Sequence, residues 1–374
     1  MRSKIGYQFQ TMNIDLLRQA RPQIYMMIWG PGDLPDRDSY QALKSEIGGF
    51  FVGRTYIDDA LQALCLSDPI EGANQVFAAM LPTMERLRGI VDAWVVLNER
   101  GHHNPDIVPF VKATVRIIEL CHEHGFKTVA GNWGSGNPDG NPDKRQDLPT
   151  YHQDPKAFMA RLKAHWDMYL PILRATDYLA PHQYDWPRLD ATEPFRIGRH
   201  TLDWQCWPAD IQAREDWIII TEFGIDHGMV GPGLLGWRAT DVSEENYRDQ
   251  LMMADRKWLI PWRPIKGALM FGANMGPEWA SFEVSDCPLI AEYIQTSDYS
   301  DFVPQPEVQP MPTFNFAFKE LADKAPALIG KATSEQIDIP NVCSIQFTEK
   351  GILFYRDGAG AKFVAQEQVP PFQK

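Results

Sequence analysis

The chain has 374 residues, 44% of them hydrophobic and 23% charged, and a formal net charge of -13. That length buries a large core and accommodates one sizeable domain with a small appendage. The acidic balance excludes a nucleic-acid footprint, and neither a polybasic run nor a stretch of about 18 apolar residues points to a membrane. Five cysteines (Cys65, Cys121, Cys206, Cys287, Cys343) are odd in number and far apart, with no C-x-x-C. At least one must be unpaired, which favours a reducing compartment over a disulfide framework. Met1-Arg2-Ser3-Lys4 leads into no apolar signal core. A cytoplasmic location is expected, unless a leader has been removed or the chain belongs to a larger particle.

Strand-like and helix-like runs then alternate. Ile5 to Phe9 is a weak first strand, Gln23 to Trp29 a stronger second, and Gly49 to Tyr56 a third after a helix over Tyr40 to Ile47. A long helical stretch from Ala73 to Ile90 leads into Ala93-Trp94-Val95-Val96-Leu97-Asn98-Glu99. Its five apolar residues in a row read as a fourth strand buried on both faces. Asn104-Pro105 is expected to cap the next helix. Phe126 to Gly131 is the fifth strand, Asp154-Pro155 opens another helix, and Tyr178 to His182 is the sixth strand. Pro194 to Ala213 is expected to hold a helix. Trp217-Ile218-Ile219-Ile220-Thr221-Glu222-Phe223-Gly224 is the seventh strand, and Asp241-x-x-Glu244 reads as a capping box before a helix. Ile265 to Gly272 is the eighth strand, and Pro288 to Ile294 a short last helix.

Eight alternations predict a (β/α)8 TIM barrel over residues 1–300. Residues 301–312 carry Pro304, Pro306, Pro310 and Pro312 and read as an extended linker. Residues 313–374 read as a small unit, a helix over 314–329 and then short antiparallel strands, expected to pack on the barrel.

Two strands each deliver one glutamate, Glu99 and Glu222, to the C-terminal mouth of such a barrel. Paired carboxylates there are the equipment for cutting a glycosidic bond. The stretch also resembles the clan A retaining glycoside hydrolases, the (β/α)8 group that includes cellulase- and mannanase-like enzymes. The likeness lies in Asn98-Glu99 ending strand four, Thr221-Glu222-Phe223-Gly224 ending strand seven, His182-Gln183-Tyr184 ending strand six, and Arg54 in Val52-Gly53-Arg54-Thr55. It spans roughly Ile5 to Ile294 and assigns no single family. It implies a β-glycoside hydrolase with Glu222 as nucleophile and Glu99 as acid/base, and with no metal or cofactor. Asn98, Arg54, His182 and Tyr184 would then contact the substrate or the nucleophile. Glu222 is expected to stay ionised beside Tyr184 and Arg54, and Glu99 to be held protonated by desolvation and by repulsion from Glu222. A departure stands at strand eight, which closes Met270-Phe271-Gly272-Ala273-Asn274 where many relatives place a Trp.

A carbohydrate partner calls for aromatic platforms, and Trp29, Trp133, Trp186, Trp237 and Trp279 follow strand ends. Asn132 to His152 and Gly224 to Asp241 are long loops placed to shape a cleft. Other motifs fail. Gly231 to Gly236 spells G-x-G-x-x-G but follows no strand directly and opens no helix. Asp139-x-Asn141-x-Asp143 lacks the glycine and glutamate of a calcium loop, and His122-Glu123-His124 lacks zinc spacing. His102 and His103 read as the start of a loop. Two alternatives stay open: a barrel that binds carbohydrate without cleaving it, and a lytic enzyme acting on an amino-sugar polymer.

Overall fold

In a computed structural model, residues 2–143, 154–189, 196–229, 233 and 235–300 are described, with four strands beyond them. Nine parallel segments bond into one sheet. They are β1 (Ile5–Phe9), β2 (Ile24–Trp29), β3 (Phe50–Thr55), β4 (Ala93–Val95), β5 (Thr128–Ala130), β6 (Tyr178–Leu179), β7 (His182–Asp185), β8 (Ile218–Ile225) and β9 (Ile265–Ala273). β1 pairs with both β2 and β9, and β6 pairs with both β5 and β8, which closes the ring.

β7 ladders only with β8 and continues the sixth stave beyond Ala180-Pro181. The Ala180 N–H still reaches the Ala130 carbonyl at 2.9 Å, and the His182 N–H reaches that of Trp133 at 3.0 Å. Proline between them has no N–H to give the ladder, so the stave is interrupted there. The result is the expected (β/α)8 barrel of eight staves.

The strands are fully or nearly fully buried because both faces are covered. One face fills the lumen with Ile24, Met26, Val52, Val95, Val129, Ile219 and Leu269. Gly6 has no side chain there because a Cβ would lie 1.7 Å from the Ile24 carbonyl oxygen. The other face packs Tyr7, Tyr25, Phe51, Trp94 and Phe223 against the helices. Helix Ile107–Glu123 buries Ile107, Phe110, Val111, Thr114, Ile118 and Cys121, a three- and four-residue spacing that keeps one stripe inward.

Three local expectations need correction. That helix begins after Asp106, not at Asn104-Pro105, and the Asn104 amide instead donates to Asp143 at 3.2 Å. Ser243, not Asp241, caps Glu244–Ala254, its hydroxyl accepting from the Asn246 N–H at 3.2 Å. A helix over Asp59–Ser67 precedes Pro69–Arg86, with Asp58 and Asp68 accepting from first-turn N–H groups. The stretch expected over Ala73 to Ile90 thus starts earlier, at Pro69, and ends at Arg86.

The chain divides into two compact units, Met1–Pro304 and Gln305–Lys374. In the second, Ile337–Ile339, Cys343–Thr348, Gly351–Arg356 and Gly360–Ala365 form an antiparallel sheet in sequence order. The Pro-rich stretch 301–312 and the helix expected over 314–329 lie outside the described residues. No described helix is long and apolar enough to cross a membrane.

At the opposite end of the barrel from its mouth, a buried carboxylate ties the first stave to the last helices. Asp255 accepts from the Ser3 hydroxyl, from the Lys4 N–H at 3.1 Å and from the Tyr293 hydroxyl at 2.6 Å. Burial pushes its carboxyl up to about 6 against those hydrogen bonds. An acid whose folded pKa is raised contributes stability that is full below its unfolded pKa and lost as pH rises through the folded one. Asp255→Asn, which stays neutral, should therefore gain in Tm relative to wild type as pH rises from 4 to 8. Calorimetry across that range checks this, and a constant difference would contradict it.

Candidate active site

Glu99 lies beyond β4, where the chain has left the ladder. Its backbone is left-handed, φ 45°, a conformation that costs roughly 1–2 kcal/mol in a residue with a Cβ. The Glu99 N–H donates to the Asn132 carbonyl at 2.8 Å and anchors that turn. Glu222 lies within β8, where the register against β9 shifts between Ile220 and Phe223. A bulge of this kind re-aims a side chain out of the regular alternation. His182 stands opposite Glu222 in the β7–β8 register. Tyr184, two residues on, shares its face because strand side chains alternate. Arg54 is the fifth residue of β3 and shares the lumen side with Val52.

These side chains meet. His182 Nδ1 is 2.9 Å from Glu99 Oε1 and 3.3 Å from Glu222 Oε2. Arg54 donates to Glu222 Oε1 at 2.9 Å, and the Tyr184 hydroxyl donates to Glu222 Oε2 at 3.0 Å. Glu222 is buried, whereas the Glu99 side chain is 46% exposed. Asn98 bonds across to Asn132 as an isolated parallel bridge. Gly134 faces Glu99, and a Cβ there would stand 3.2 Å from Glu99 Oε1. Beside the pair, a cavity of about 290 Å³ is lined by Arg54, Thr55, Tyr56, Gln62, Asn98, Glu99 and Arg100.

The charges are distributed differently from the sequence expectation for Glu99. Partial burial pushes its carboxyl up, but the hydrogen bond and charge of His182 outweigh that and hold it down at about 2. Burial pushes the His182 imidazole down, while Glu222 and Glu99 together raise it above its ordinary value. The proton of the Glu99–His182 pair therefore rests on the imidazole. His102 is pushed down to about 4 by burial and is neutral, its Nε2 accepting from the Gly134 N–H at 3.3 Å.

Glu99, His182 and Glu222 each offer one ligand atom within 4.8 Å of the others, a donor set that could hold a divalent cation. The Arg54 guanidinium already places a positive charge on Glu222, and the Tyr184 hydroxyl occupies its other oxygen. A cation there would compete with both for the Glu222 oxygens.

The expected aromatic platforms separate into two groups. Trp29 packs on Tyr40 and Trp94, Trp133 on Trp166 and Tyr169, and Trp237 on Tyr247, all three buried. No sugar face can reach them, so their assignment as platforms is corrected. A ring directly after a stave can fold back over the helix layer as readily as over the mouth. Trp186 is half-buried with its ring edge-on to His227 at 4.9 Å. Trp279 is delivered by the turn Pro277–Phe282 onto Phe271 at 4.9 Å, and Phe271 in turn lies 6.3 Å from Tyr184. Strand eight ends without a Trp, and the nearest ring beyond it on this side is Trp279, carried by that turn.

Tyr56, 52% exposed at the cavity, went unnoticed in the sequence, although an aromatic directly after β3 was visible. Asp226, one residue past β8, also went unnoticed. Burial and the nearby Glu99 and Glu222 push its carboxyl up. His165 and Arg199 brace the loop after β5: the Gly140 N–H donates to His165 Nδ1 at 3.3 Å, and Arg199 donates to the Gly136 and Pro138 carbonyls. Asp139 and Asn141 accept from backbone N–H groups two residues on, as turn residues do. The rest of that loop, 144–152, and most of 230–234 lie outside the described residues.

A closed parallel barrel with Glu99 beyond its fourth stave and Glu222 on its seventh has the layout of the clan A glycoside hydrolases that the sequence resembles. No protein-family profile matches the chain, and no curated protein matches it. Several solved structures are similar to it. One is a family 39 glycoside hydrolase from the gut symbiont Bacteroides cellulosilyticus, 12% identical over 96% of this chain and 71% of that one, with a TM-score of 0.49. Another is the GH53 catalytic domain of Ignisphaera aggregans, 12% identical over 77% and 91%, TM-score 0.42. A third is an endo-β-1,4-mannanase double mutant from Cellulomonas fimi, 12% identical over 79% and 74%, TM-score 0.44.

Removing Arg54 would leave the buried Glu222 without its guanidinium. Arg54→Met should lower stability by about 3–5 kcal/mol, and Glu222→Gln in the same chain should recover part of that. Denaturant unfolding of the two single variants and the double variant measures it. An Arg54→Met stability within about 0.5 kcal/mol of wild type would remove the ion pair from the account.

Proposed function

We propose that this chain is a retaining β-glycoside hydrolase acting on a β-linked oligo- or polysaccharide, with Glu222 as nucleophile and Glu99 as acid/base. The observation that carries the proposal is the convergence of the two carboxylates at one barrel mouth, with oxygens within 4.8 Å of each other. Retaining cleavage needs a separation of about 5–5.5 Å, whereas inversion leaves roughly 6.5–9.5 Å for a water. Oxygens this near each other, with His182 Nδ1 against both, leave little room for an attacking water between the carboxyls, which supports double displacement.

In that reading the ionised Glu222 attacks the anomeric carbon while Glu99 delivers a proton to the departing oxygen, giving a glycosyl ester on Glu222. Glu99 then takes a proton from water, which attacks the same carbon and releases Glu222. Arg54 and Tyr184 hold the two Glu222 oxygens so that its attacking geometry is set in advance. In the free site the proton sits on His182, so it must pass from Nδ1 to Glu99 Oε1 along the 2.9 Å hydrogen bond when sugar arrives. Glu99 and His182 thus titrate together as one pair. The cavity bounded by Tyr56, Asn98 and Arg100 and the partly buried Trp279 are the candidate contacts for the sugar.

Aryl β-glycosides, β-glucan, mannan and xylan are the substrates to try, and a 2-fluoro sugar should label Glu222. Glu99→Ala should lower turnover by about 10²–10⁴-fold, and Glu222→Ala should abolish the label. Labelling of another residue, or equal turnover by wild type and both variants, would refute the assignment.

The acid form of the pair survives until pH rises through the raised His182 pKa, so the alkaline limb of activity should lie above the ordinary imidazole value of about 6.5. His182→Gln should move that limb to lower pH. A limb that does not move would take His182 out of the proton path.

A further inference from the structure

We propose that Asn132 is the positioning residue that fixes the distance between Glu99 and Glu222; the inference rests on the glycosidase reading for its consequence, and on hydrogen-bond geometry for its content. Asn132 lies two residues past β5, on a stave that carries neither glutamate, and is 1% exposed. Its backbone carbonyl accepts from the Glu99 N–H at 2.8 Å. Its side-chain Nδ2 donates to the Leu97 carbonyl, two residues before Glu99. Its Oδ1 accepts from the Thr221 hydroxyl at 2.9 Å, one residue before Glu222.

The orientation of this amide follows from chemistry. A backbone carbonyl can only accept, so the nitrogen must face Leu97, and the oxygen is left for the Thr221 hydroxyl, which donates. Thr221 is also 1% exposed. Both bonds are therefore shielded from competing water.

No strand ladder performs this task. The continuous β4–β5 register ends at Val95 with Val129, and beyond it only an isolated bridge joins Asn98 to Asn132. β4 and β8 are not neighbours in the sheet. A path along ladders from one glutamate to the other would run round the ring through β5 and β6. The Asn132 side chain shortens it to a single amide. The Asn132 backbone carbonyl also anchors the left-handed turn at Glu99. The His182 nitrogen must reach both carboxylates, at 2.9 and 3.3 Å, and a small spreading of the two would break one of those contacts.

Three variants test the proposal. Thr221→Val keeps the shape of residue 221 and removes its hydroxyl, Thr221→Ser keeps the hydroxyl, and Asn132→Leu removes both side-chain bonds. On an aryl β-glycoside, well below each variant's Tm, Thr221→Val and Asn132→Leu should lose about 10- to 100-fold in kcat with KM within about twofold. Their alkaline limb should move to lower pH, and Thr221→Ser should restore kcat to within about threefold of wild type. Well-folded Thr221→Val and Asn132→Leu with wild-type kcat and pH profile, differing only in Tm, would overturn the proposal and leave Asn132 a structural amide. Wild-type inactivity on every glycoside would instead defeat the glycosidase reading. The positioning would then be read from His182 itself, whose imidazole titration, followed by NMR, should fall to lower pH in Thr221→Val. An unchanged titration would overturn the proposal independently of any activity.

Discussion

Two carboxylates with oxygens within 4.8 Å repel each other. At an effective dielectric of about 20 the cost is roughly 3–4 kcal/mol, a large share of what a folded domain has to spare. The mouth of this barrel is stable because positive charge stands among them. His182 Nδ1 lies between the two, and the Arg54 guanidinium covers Glu222 from the other side. This arrangement ties the protonation of Glu99 to that of His182. Glu99 is strongly acidic because His182 is basic, and His182 is basic because both glutamates face it.

The barrel was legible because its strands are apolar throughout and its helices carry one inward stripe. Those patterns follow from covering a parallel sheet on both faces, and they survive without knowledge of neighbours. Even the weak first strand came out at Ile5–Phe9. The boundaries that failed were capping details. Asn104, Asp241 and Ser243 are all competent caps by type, and which of them caps depends on where the chain turns. The break at Ala180-Pro181 is explained by the proline, yet one proline could equally have ended the strand.

The candidate site was legible in part for a similar reason. Strand ends converge at the mouth of any closed parallel barrel, so Arg54, Glu99, His182, Tyr184 and Glu222 could be gathered from their places on the staves. The state of Glu99 was not legible, because it depends on one imidazole nitrogen whose approach is settled only in three dimensions. Trp29, Trp133 and Trp237 misled because a ring after a strand says nothing about which side of the sheet it folds onto. Asn132 was invisible for a deeper reason. Its polar atoms are satisfied by two segments far apart in sequence, around Leu97–Glu99 and at Thr221, and nothing local marks it.

Trp279 comes from a short turn beyond the barrel wall, Pro277–Phe282, and packs on Phe271, which in turn lies beside Tyr184. A side chain carried by a turn can be exchanged, tilted or withdrawn while the staves keep their bonding. In this protein the ring at the edge of the mouth and the paired acids are therefore carried by different pieces of chain. The two can drift apart over generations, one being retuned while the other is left alone.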